Sequence, residues 1–315
     1  MKWYVFTILA PAMLLSQPPQ RSTSATYTYD PNGNAIAAGE RQQVISKDGS
    51  SSVQMLTTLN GNVAPLEKVE EKLISKTENS KVVERVVVPY DTNGNPGQTR
   101  KIVTTERKNY DGSTSVEVSS YRADLNGSFA LGEKELKVTR KTGANTSVFE
   151  KTVVRSTLNG EELVERQVGN VVATKNLTKE DVAIERRDLN GSLQPAGRVL
   201  MEKLEKDGTV KETSTTYTQD GAQLQLAKQT VSETKQNKDG SSVTKVDVFG
   251  TNTPGRYDGG GLQFREQQII DRSPDPSGAL KEVFSIRRPT LDGGNVLGPV
   301  LKISERNCTG QCNNP

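Results

Sequence analysis

The chain has 315 residues, of which 32% are hydrophobic and 5% aromatic, with a formal net charge of +3 and no histidine. This composition excludes a thick core filled with aromatic side chains, and the nearly balanced charge argues against a nucleic-acid-binding protein. The absence of histidine excludes His-based acid–base catalysis, Ser–His and Cys–His nucleophile systems, and the commonest ligand of transition metals. We therefore expect a protein that is not an enzyme and that needs no cofactor.

The first 25 residues are predicted to be a signal peptide followed by a polar linker. One lysine precedes an apolar run in MKWYVFTILAPAMLL, and the Pro- and Ser-rich segment SQPPQRSTSA follows it. The run is shorter than the roughly 18 apolar residues that a spanning helix needs. Cleavage before Thr26 or near Ser16 would leave no stable membrane span. We therefore expect a secreted, periplasmic or cell-surface protein with a single β-repeat domain over residues 26–315.

An Asn-Gly signal recurs along this domain with a period of about 33 residues, which is in the range of repeat architectures. The fullest form, DLNGS, occurs at 124–128 and 188–192, and related forms occur at 30–34, 58–62, 91–95 and 157–161. Such residues accept the positive backbone angles of tight hairpin turns. The predicted structural turns are centred on Gly33, Gly61, Gly94, Gly127, Gly160, Gly191 and Gly221.

A second turn family lies about half a period further on, in segments such as KDGSSSV (47–53), YDGSTSV (110–116) and NKDGSSV (237–243). Runs rich in Val and Thr alternate with a period of two residues between the two families, which indicates strands. Each repeat is therefore one β-hairpin, and eight or nine hairpins give roughly 16 to 18 strands. The predicted fold is an all-β antiparallel meander.

Three architectures suit this meander: an extended twisted sheet, a ring that curls or closes like a propeller or barrel, and an outer-membrane barrel. An outer-membrane barrel needs an apolar outer band with aromatic girdles. Lys, Glu and Arg are frequent in the predicted strands, so the sequence favours the first two. Each hairpin would bury apolar surface only against its neighbours.

DPNGN at 30–34 also resembles part of a calcium loop, because Asp30, Asn32 and Asn34 alternate as oxygen ligands do. An EF-hand loop, however, has Gly at its sixth position and Glu at its twelfth. Here Gly33 is fourth and Arg41 is twelfth. We therefore interpret the segment as an Asx-type turn and predict no metal site.

A basic residue recurs seven positions after most of the turn glycines. This position predicts a row that faces a polyanion, interleaved with acidic residues, on a face that otherwise serves solubility. The members of the predicted row are Lys68, Lys101, Lys134, Arg198 and Lys228.

The two cysteines, Cys308 and Cys312, lie close together at the end of the sequence. In an oxidising compartment they are candidates for a short disulfide that pins the last strand or turn.

TYTYDPNGN at 26–34 resembles the YD (Rhs-type) repeat of large secreted bacterial proteins. The resemblance rests on Tyr27, Tyr29, Asp30 and Gly33, with a partial second copy at 90–94. It implies an extracellular array of β-hairpins without catalysis of its own. Proteins of that family have been linked to carbohydrate binding and to toxin encapsulation.

Together these features predict an exported, non-enzymatic structural or adhesive protein of the cell envelope or extracellular space. The alternative is a propeller-like protein that binds or acts on carbohydrate with loops at one rim. The expected partners are cell-surface glycans, other envelope proteins or further copies of the chain, and we expect no nucleic acid.

Overall fold

The structure is a computed structural model that describes residues 20–30, 32–46, 48–59, 62–124, 126–251, 261–274, 279–290 and 297–310. These residues form 18 antiparallel strands, as the turn signals predict. The strands are β1 Gln20–Tyr29, β2 Ala35–Ile45, β3 Ser51–Leu59, β4 Asn62–Lys76, β5 Ser80–Pro89, β6 Arg100–Lys108, β7 Thr114–Ala123, β8 Phe129–Lys141, β9 Thr146–Thr157, β10 Gly160–Ala173, β11 Leu177–Arg187, β12 Leu193–Lys206, β13 Thr209–Asp220, β14 Gln223–Gln236, β15 Ser242–Gly250, β16 Gln263–Pro274, β17 Leu280–Arg287 and β18 Leu301–Gly310.

The sheet closes on itself, because β1 pairs with both β2 and β18. The seam between β1 and β18 runs from Ser22 opposite Gly310 to Thr28 opposite Ser304. Every other strand pairs with the strands before and after it in sequence. The fold is therefore a closed up-and-down barrel, and the propeller-like alternative is wrong, since a propeller consists of separate small sheets arranged around an axis.

The two turn families lie at opposite ends of the barrel. Connections from odd to even strands form what we call the NG end, and all six Asn-Gly signals lie there, although the turn between β13 and β14 has Gly221 after Asp220 instead. Connections from even to odd strands form the DG end, with Asp-Gly signals after β2, β6, β12 and β14. The first residue of β1, Gln20, and the last residue of β18, Gly310, are also at the DG end. Gln20 falls within the segment that the sequence assigns to the leader and linker.

A β-bulge follows most NG-end turns. Eight of the nine hairpins that close at this end contain a register shift. A bulge adds one residue to a strand and increases its local twist and bend. Repeating it around the ring helps to curve the sheet toward closure.

Alternation along the strands and direct cross-strand pairing divide the side chains into two faces. One face contains Val53, Val69 and Val87, which lie side by side on β3, β4 and β5. The same face contains eight of the nine buried hydrophobic residues of the described chain: Val53, Val69, Val87, Phe149, Val153, Val182, Ile286 and Cys308. Side chains converge on the concave side of a curved sheet, so we assign this face to the lumen and call it the inner face.

The wall has almost no core. No described side chain is more than 98% buried. The accessible surface of the chain is 21,117 Å², whereas a compact protein of this length exposes about 13,000 Å². A single-layered wall with two accessible surfaces accounts for the difference.

Glycine beside a bulge offers a test of this packing. A Cβ atom on Gly197 would lie 2.5 Å from the carbonyl oxygen of Tyr217, whereas one on Gly132 would lie 3.6 Å from its nearest neighbour, the oxygen of Ser120. The first contact is with backbone, so β12 and β13 would have to separate. We expect Gly197→Ala to lower the free energy of unfolding by about 1–3 kcal/mol, measured by urea denaturation. Gly132→Ala is the control and should leave stability unchanged; equal effects would contradict the argument.

Candidate functional site

The inner face is hydrophilic over much of its area. One cluster of charged side chains covers β8 to β11, where it surrounds a shallow depression of about 330 Å³. Glu133 pairs with Arg155 at 3.4 Å and Lys151 with Glu135 at 2.6 Å. The charged members of this lumen cluster are Glu133, Glu135, Lys151, Arg155, Glu165 and Arg186.

The third ion pair of the lumen cluster joins Arg186 Nε to Glu165 Oε2 at 2.8 Å, and the other oxygen of Glu165 accepts a hydrogen bond from Gln167 at 2.6 Å. Acids and bases thus alternate across four neighbouring strands and leave no excess of either sign. Paired charges of both signs keep this part of the inner face hydrophilic. The cluster holds no arrangement of nucleophile and base.

The opposite, outer face changes character along the barrel. Near the NG end it is largely apolar, in direct cross-strand pairs such as Tyr121 with Leu131 and Phe249 with Phe264. We call this band the collar. Its members are Tyr27, Tyr29, Ala35, Ala37, Leu56, Val63, Pro65, Val86, Val88, Tyr121, Ala123, Phe129, Leu131, Val154, Leu163, Leu193, Pro195, Tyr217, Leu224, Leu226, Phe249 and Phe264.

The predicted basic row lies on this outer face, directly below the collar, at Lys68, Lys101, Lys134 and Arg198. Lys228 does not join it: this residue is opposite Gly250 and Thr216 on the inner face. The reason is turn geometry, because the bulge in β14 comes one residue later relative to its turn glycine than in β8 or β12.

In β10 the bulge comes one residue earlier relative to its turn glycine than in β8 or β12, and this adds a residue to the row. In β10 the outer-face position is Arg166, which pairs with Thr152 and Glu185. Its Nε donates to Glu150 at 2.7 Å. We define the basic row from here on as Lys68, Lys101, Lys134, Arg166 and Arg198.

Each of four row members pairs with an acid on the preceding strand, one step further from the NG end. The distances are 3.9 Å for Lys101–Glu84 and 3.2 Å for Lys134–Glu117. Arg166–Glu150 and Arg198–Asp181 are both 2.7 Å. On the outer face, the side chains nearest the NG end are therefore apolar, those at the next level are basic, and those at the level after that are acidic.

The predicted turn glycines occupy the left-handed region that favours this residue. Their φ angles are 83° at Gly33, 81° at Gly94, 80° at Gly127, 110° at Gly160, 87° at Gly191 and 58° at Gly221. Gly61 lies outside the described residues. Cys308 is buried and disulfide-bonded, and Cys312 lies outside the described residues.

In the turn that resembles a calcium loop, the carboxylate of Asp30 accepts hydrogen bonds from the turn itself. Asp30 Oδ1 accepts the N–H groups of Asn32 and Asn34 at 2.9 and 2.8 Å, and Oδ2 accepts the side-chain N–H of Asn34 at 2.9 Å. Asp91 repeats this pattern. Across the described residues, no three or more Cys, Asp or Glu side chains form a group suited to a metal ion.

Sequence reasoning missed the collar and the lumen cluster. The tyrosines look scattered along the chain, yet Tyr27, Tyr121 and Tyr217 each stand within six residues of an NG-end turn glycine. Folding the sequence at its turn glycines would have brought them together. The lumen cluster had no comparable signal, because the bulges alter which face each residue occupies.

Solved structures share this fold, and one of them is an outer membrane protein. The chain is similar to OccK5 (OpdH) of Pseudomonas aeruginosa, with 12% identity, a TM-score of 0.54 and coverage of 92% of this chain and 96% of that one. It is also similar to the outer membrane protein OpdK of the same organism, with 9% identity, a TM-score of 0.54 and coverage of 93% and 98%. OpdL of that organism gives 10% identity, a TM-score of 0.53 and coverage of 93% and 97%. No protein-family model and no curated protein matches the sequence.

These findings correct three sequence-based interpretations. The resemblance to YD (Rhs-type) repeats is wrong, because the hairpins form the wall of one closed barrel and are not units of a repeat array. The structural or adhesive function and its carbohydrate-binding propeller alternative are also wrong: the fold matches that of OccK5 and of the outer membrane protein OpdK, and one closed sheet is not a propeller. Within the described residues, no helix is long and apolar enough to cross a membrane.

The turn carboxylates give a pH prediction. The hydrogen bond from the Asn95 side chain, followed by that from its backbone N–H, holds the pKa of Asp91 below its ordinary value of 3.8. A lowered folded-state pKa stabilises the turn above pH 3.8, and this stabilisation is lost as the pH falls through the folded-state value. We expect Asn95→Ala to move the NMR titration midpoint of the Asp91 carboxyl upward toward 3.8. Asp30, in its own turn, is the internal control and should not move; an unchanged Asp91 midpoint would show that Asn95 is not the cause.

Proposed function

We propose that this protein forms a water-filled passage in a membrane of the cell envelope, through which small hydrophilic solutes diffuse. The observation that supports the proposal is the closed ring of 18 strands with a hydrophilic inner face. Barrels of about 16 to 18 strands are too wide for side chains to fill, and they leave an aqueous channel. The proposal is not catalytic, in keeping with the lack of histidine.

The lining favours small solutes over large apolar ones. The lumen cluster presents three acids and three bases, already paired at 2.6 to 3.4 Å. A dissolved ion can exchange with these partners at little cost, whereas an apolar solute would have to leave charged groups unhydrated. We therefore propose that the solutes that pass through the barrel are small and polar, or ionic with a charge of either sign.

The lengths of the connections support an orientation. The longest lie at the NG end, between β5 and β6, β15 and β16, and β17 and β18. At the DG end the connections are short, and both ends of the barrel sequence lie there. Outer-membrane barrels have short periplasmic turns and longer external loops. The NG end would accordingly face outward and the DG end the periplasm.

This proposal replaces the expectation that the mature chain has no membrane span. That expectation rested on helix length and on the charged residues of the strands. A cation on the lipid face of such a barrel costs about 2–4 kcal/mol at the bilayer midplane. The charges of the outer face therefore restrict which part of the wall contacts lipid.

Conductance across a planar lipid bilayer tests the proposed passage. Addition of the folded protein should produce discrete, ohmic current steps, and the urea-unfolded protein should produce none. Release of a small dye from vesicles gives a second measurement. Folded protein that binds the vesicles but neither conducts nor releases dye would overturn the proposal.

Selectivity tests whether the lumen cluster lines the passage. Removing a positive charge in Lys151→Gln or Arg155→Gln leaves Glu135 or Glu133 without its partner. We expect the cation-to-anion permeability ratio to rise, on the order of two- to tenfold, measured as reversal potential in a salt gradient. Lys134→Gln removes the same charge on the outer face of the neighbouring strand β8 and should leave the ratio unchanged. Equal shifts in all three variants would contradict the assignment of the faces.

A further inference from the structure

We propose that the membrane contacts this barrel through the collar alone, with the basic row at the level of the lipid phosphates and the rest of the outer wall in water. The inference rests on the proposed function only in taking a bilayer as the surrounding medium. It assigns the lipid-facing surface to one rim of the barrel and to named residues.

The collar is exposed although it is apolar. Val63 is 64% exposed, Leu224 45%, Phe129 38% and Leu226 37%. Phe249 and Phe264 stack edge to face with ring centres 5.5 Å apart. Contiguous apolar surface on this scale marks a contact with another apolar phase.

The tips of the NG-end turns extend the same apolar surface. Leu158 and Leu189 occupy the turns after β9 and β11, and both are fully exposed at 107%. A polar residue would serve the position of Leu189 equally well, because the N–H groups of Asn190 and Ser192 donate to Asp188 Oδ1 and these bonds do not involve the leucine side chain. Leucine at the tip adds apolar area at the end of the barrel that has the collar.

The collar runs around most of the ring, which is the argument for lipid as its occupant. Collar pairs occur in the hairpins β1/β2, β3/β4, β7/β8, β13/β14 and β15/β16. A protein partner would cover one side of the barrel, whereas a bilayer surrounds it. The collar is interrupted on β11, where Glu185 and Arg187 face outward, and at β17/β18, where Ser285 and Lys302 face outward.

The basic row is placed to meet lipid phosphates. The Nζ atom of Lys101 lies 5.0 Å from the ring centre of Tyr121 and 4.9 Å from that of Phe129. Its stem therefore runs along the collar while its charge lies at the collar's edge. Lys and Arg commonly extend in this way from apolar regions to the headgroup layer, and anionic lipids attract them.

The rest of the outer wall is unsuited to hydrocarbon. Further from the NG end, Lys179 pairs with Glu202 and Lys211 with Glu233, and the side chains of the first pair are about half exposed. Within a strand the collar spans three residues, as at 121–123 or 129–131, which corresponds to a height of about 8 Å for a strand tilted as in barrels. Bacterial outer-membrane barrels have an apolar band of about 25 Å. A bilayer around so short a collar thins locally.

Tryptophan quenching by brominated lipid separates these surfaces, because Trp3 is the only tryptophan in the sequence. In a Trp3→Phe background, three variants place one reporter each. Phe129→Trp lies in the collar, Ala130→Trp is its neighbour on the inner face, and Val138→Trp is on the outer face of the same strand near the DG end. The vesicles contain phosphatidylcholine brominated on its acyl chains, with or without one-fifth phosphatidylglycerol.

We expect strong quenching for Phe129→Trp and little for Ala130→Trp or Val138→Trp. Equal quenching of Phe129→Trp and Val138→Trp would overturn the inference and leave the passage intact, since the whole outer wall would then lie in lipid. Absence of quenching at Phe129→Trp in vesicle-bound protein would overturn it as well. Conductance, measured separately, reports on the proposed function and does not depend on either result.

The basic row has its own measurement in the same vesicles. Lys101→Gln together with Lys134→Gln should weaken binding to vesicles that contain phosphatidylglycerol by several fold and leave binding to pure phosphatidylcholine unchanged. Lys211→Gln, which removes a charge from the outer face away from the collar, is the matched control. Equal weakening by the control would show that the row has no special relation to the phosphates.

Discussion

Hydrogen bonding between β1 and β18 is the constraint on which the rest of the molecule depends. It gives each strand two neighbours and leaves no open sheet edge, so the backbone N–H and C=O groups of the strands are used within the ring. The interior supplies little else. Nine hydrophobic residues of the described chain are buried, eight of them on the concave face, where Val53, Val69 and Val87 pack side by side. The stability of this wall therefore comes from backbone pairing and from contacts between adjacent side chains, and breaking the seam would create two unpaired edges at once.

Closure of the ring also determines which side of the wall each residue faces. Once the ring is closed, a residue points either to the lumen or to the surroundings, and its distance from a turn sets its height. The lumen cluster, the collar and the basic row follow from these two coordinates. Ion pairs that look like ordinary surface pairs in sequence, such as Lys134–Glu117 and Lys151–Glu135, belong to opposite sides of the wall.

The sequence predicted the turns and the strand count because both depend on local chemistry. Asn-Gly and Asp-Gly need only their own backbone angles, and the carboxylate of Asp188 or Asp91 completes the turn without any distant partner. The faces were harder to predict. A single bulge exchanges them, and this is why Lys228 points inward although it occupies the same sequence position as Lys134.

The sequence could not predict that the sheet closes, nor what its outer face contacts, for a different reason. The pairing of Ser24 with Cys308 joins positions 284 residues apart, and no short-range pattern encodes it. The outer-membrane barrel was disfavoured because charged residues were counted over the whole strand. On the outer face near the NG end, few charged residues occur, and most positions hold residues such as Tyr121, Leu131 and Phe249. The tyrosines that suggested a YD repeat, Tyr27 and Tyr29, belong to the same band.

Placement of both ends of the barrel sequence at the DG end gives the barrel a direction. The apolar rim lies at one pole, and Gln20 and Gly310, the first and last strand residues, lie at the other. On the proposed membrane contact, a barrel that enters a bilayer rim first carries its nine NG-end connections, the three longest included, into the apolar layer. Gln20 and Gly310 stay on the side of entry. An inverted barrel would instead have to bring the ion-paired half of its wall through hydrocarbon, so the proposed contact implies insertion in a single direction.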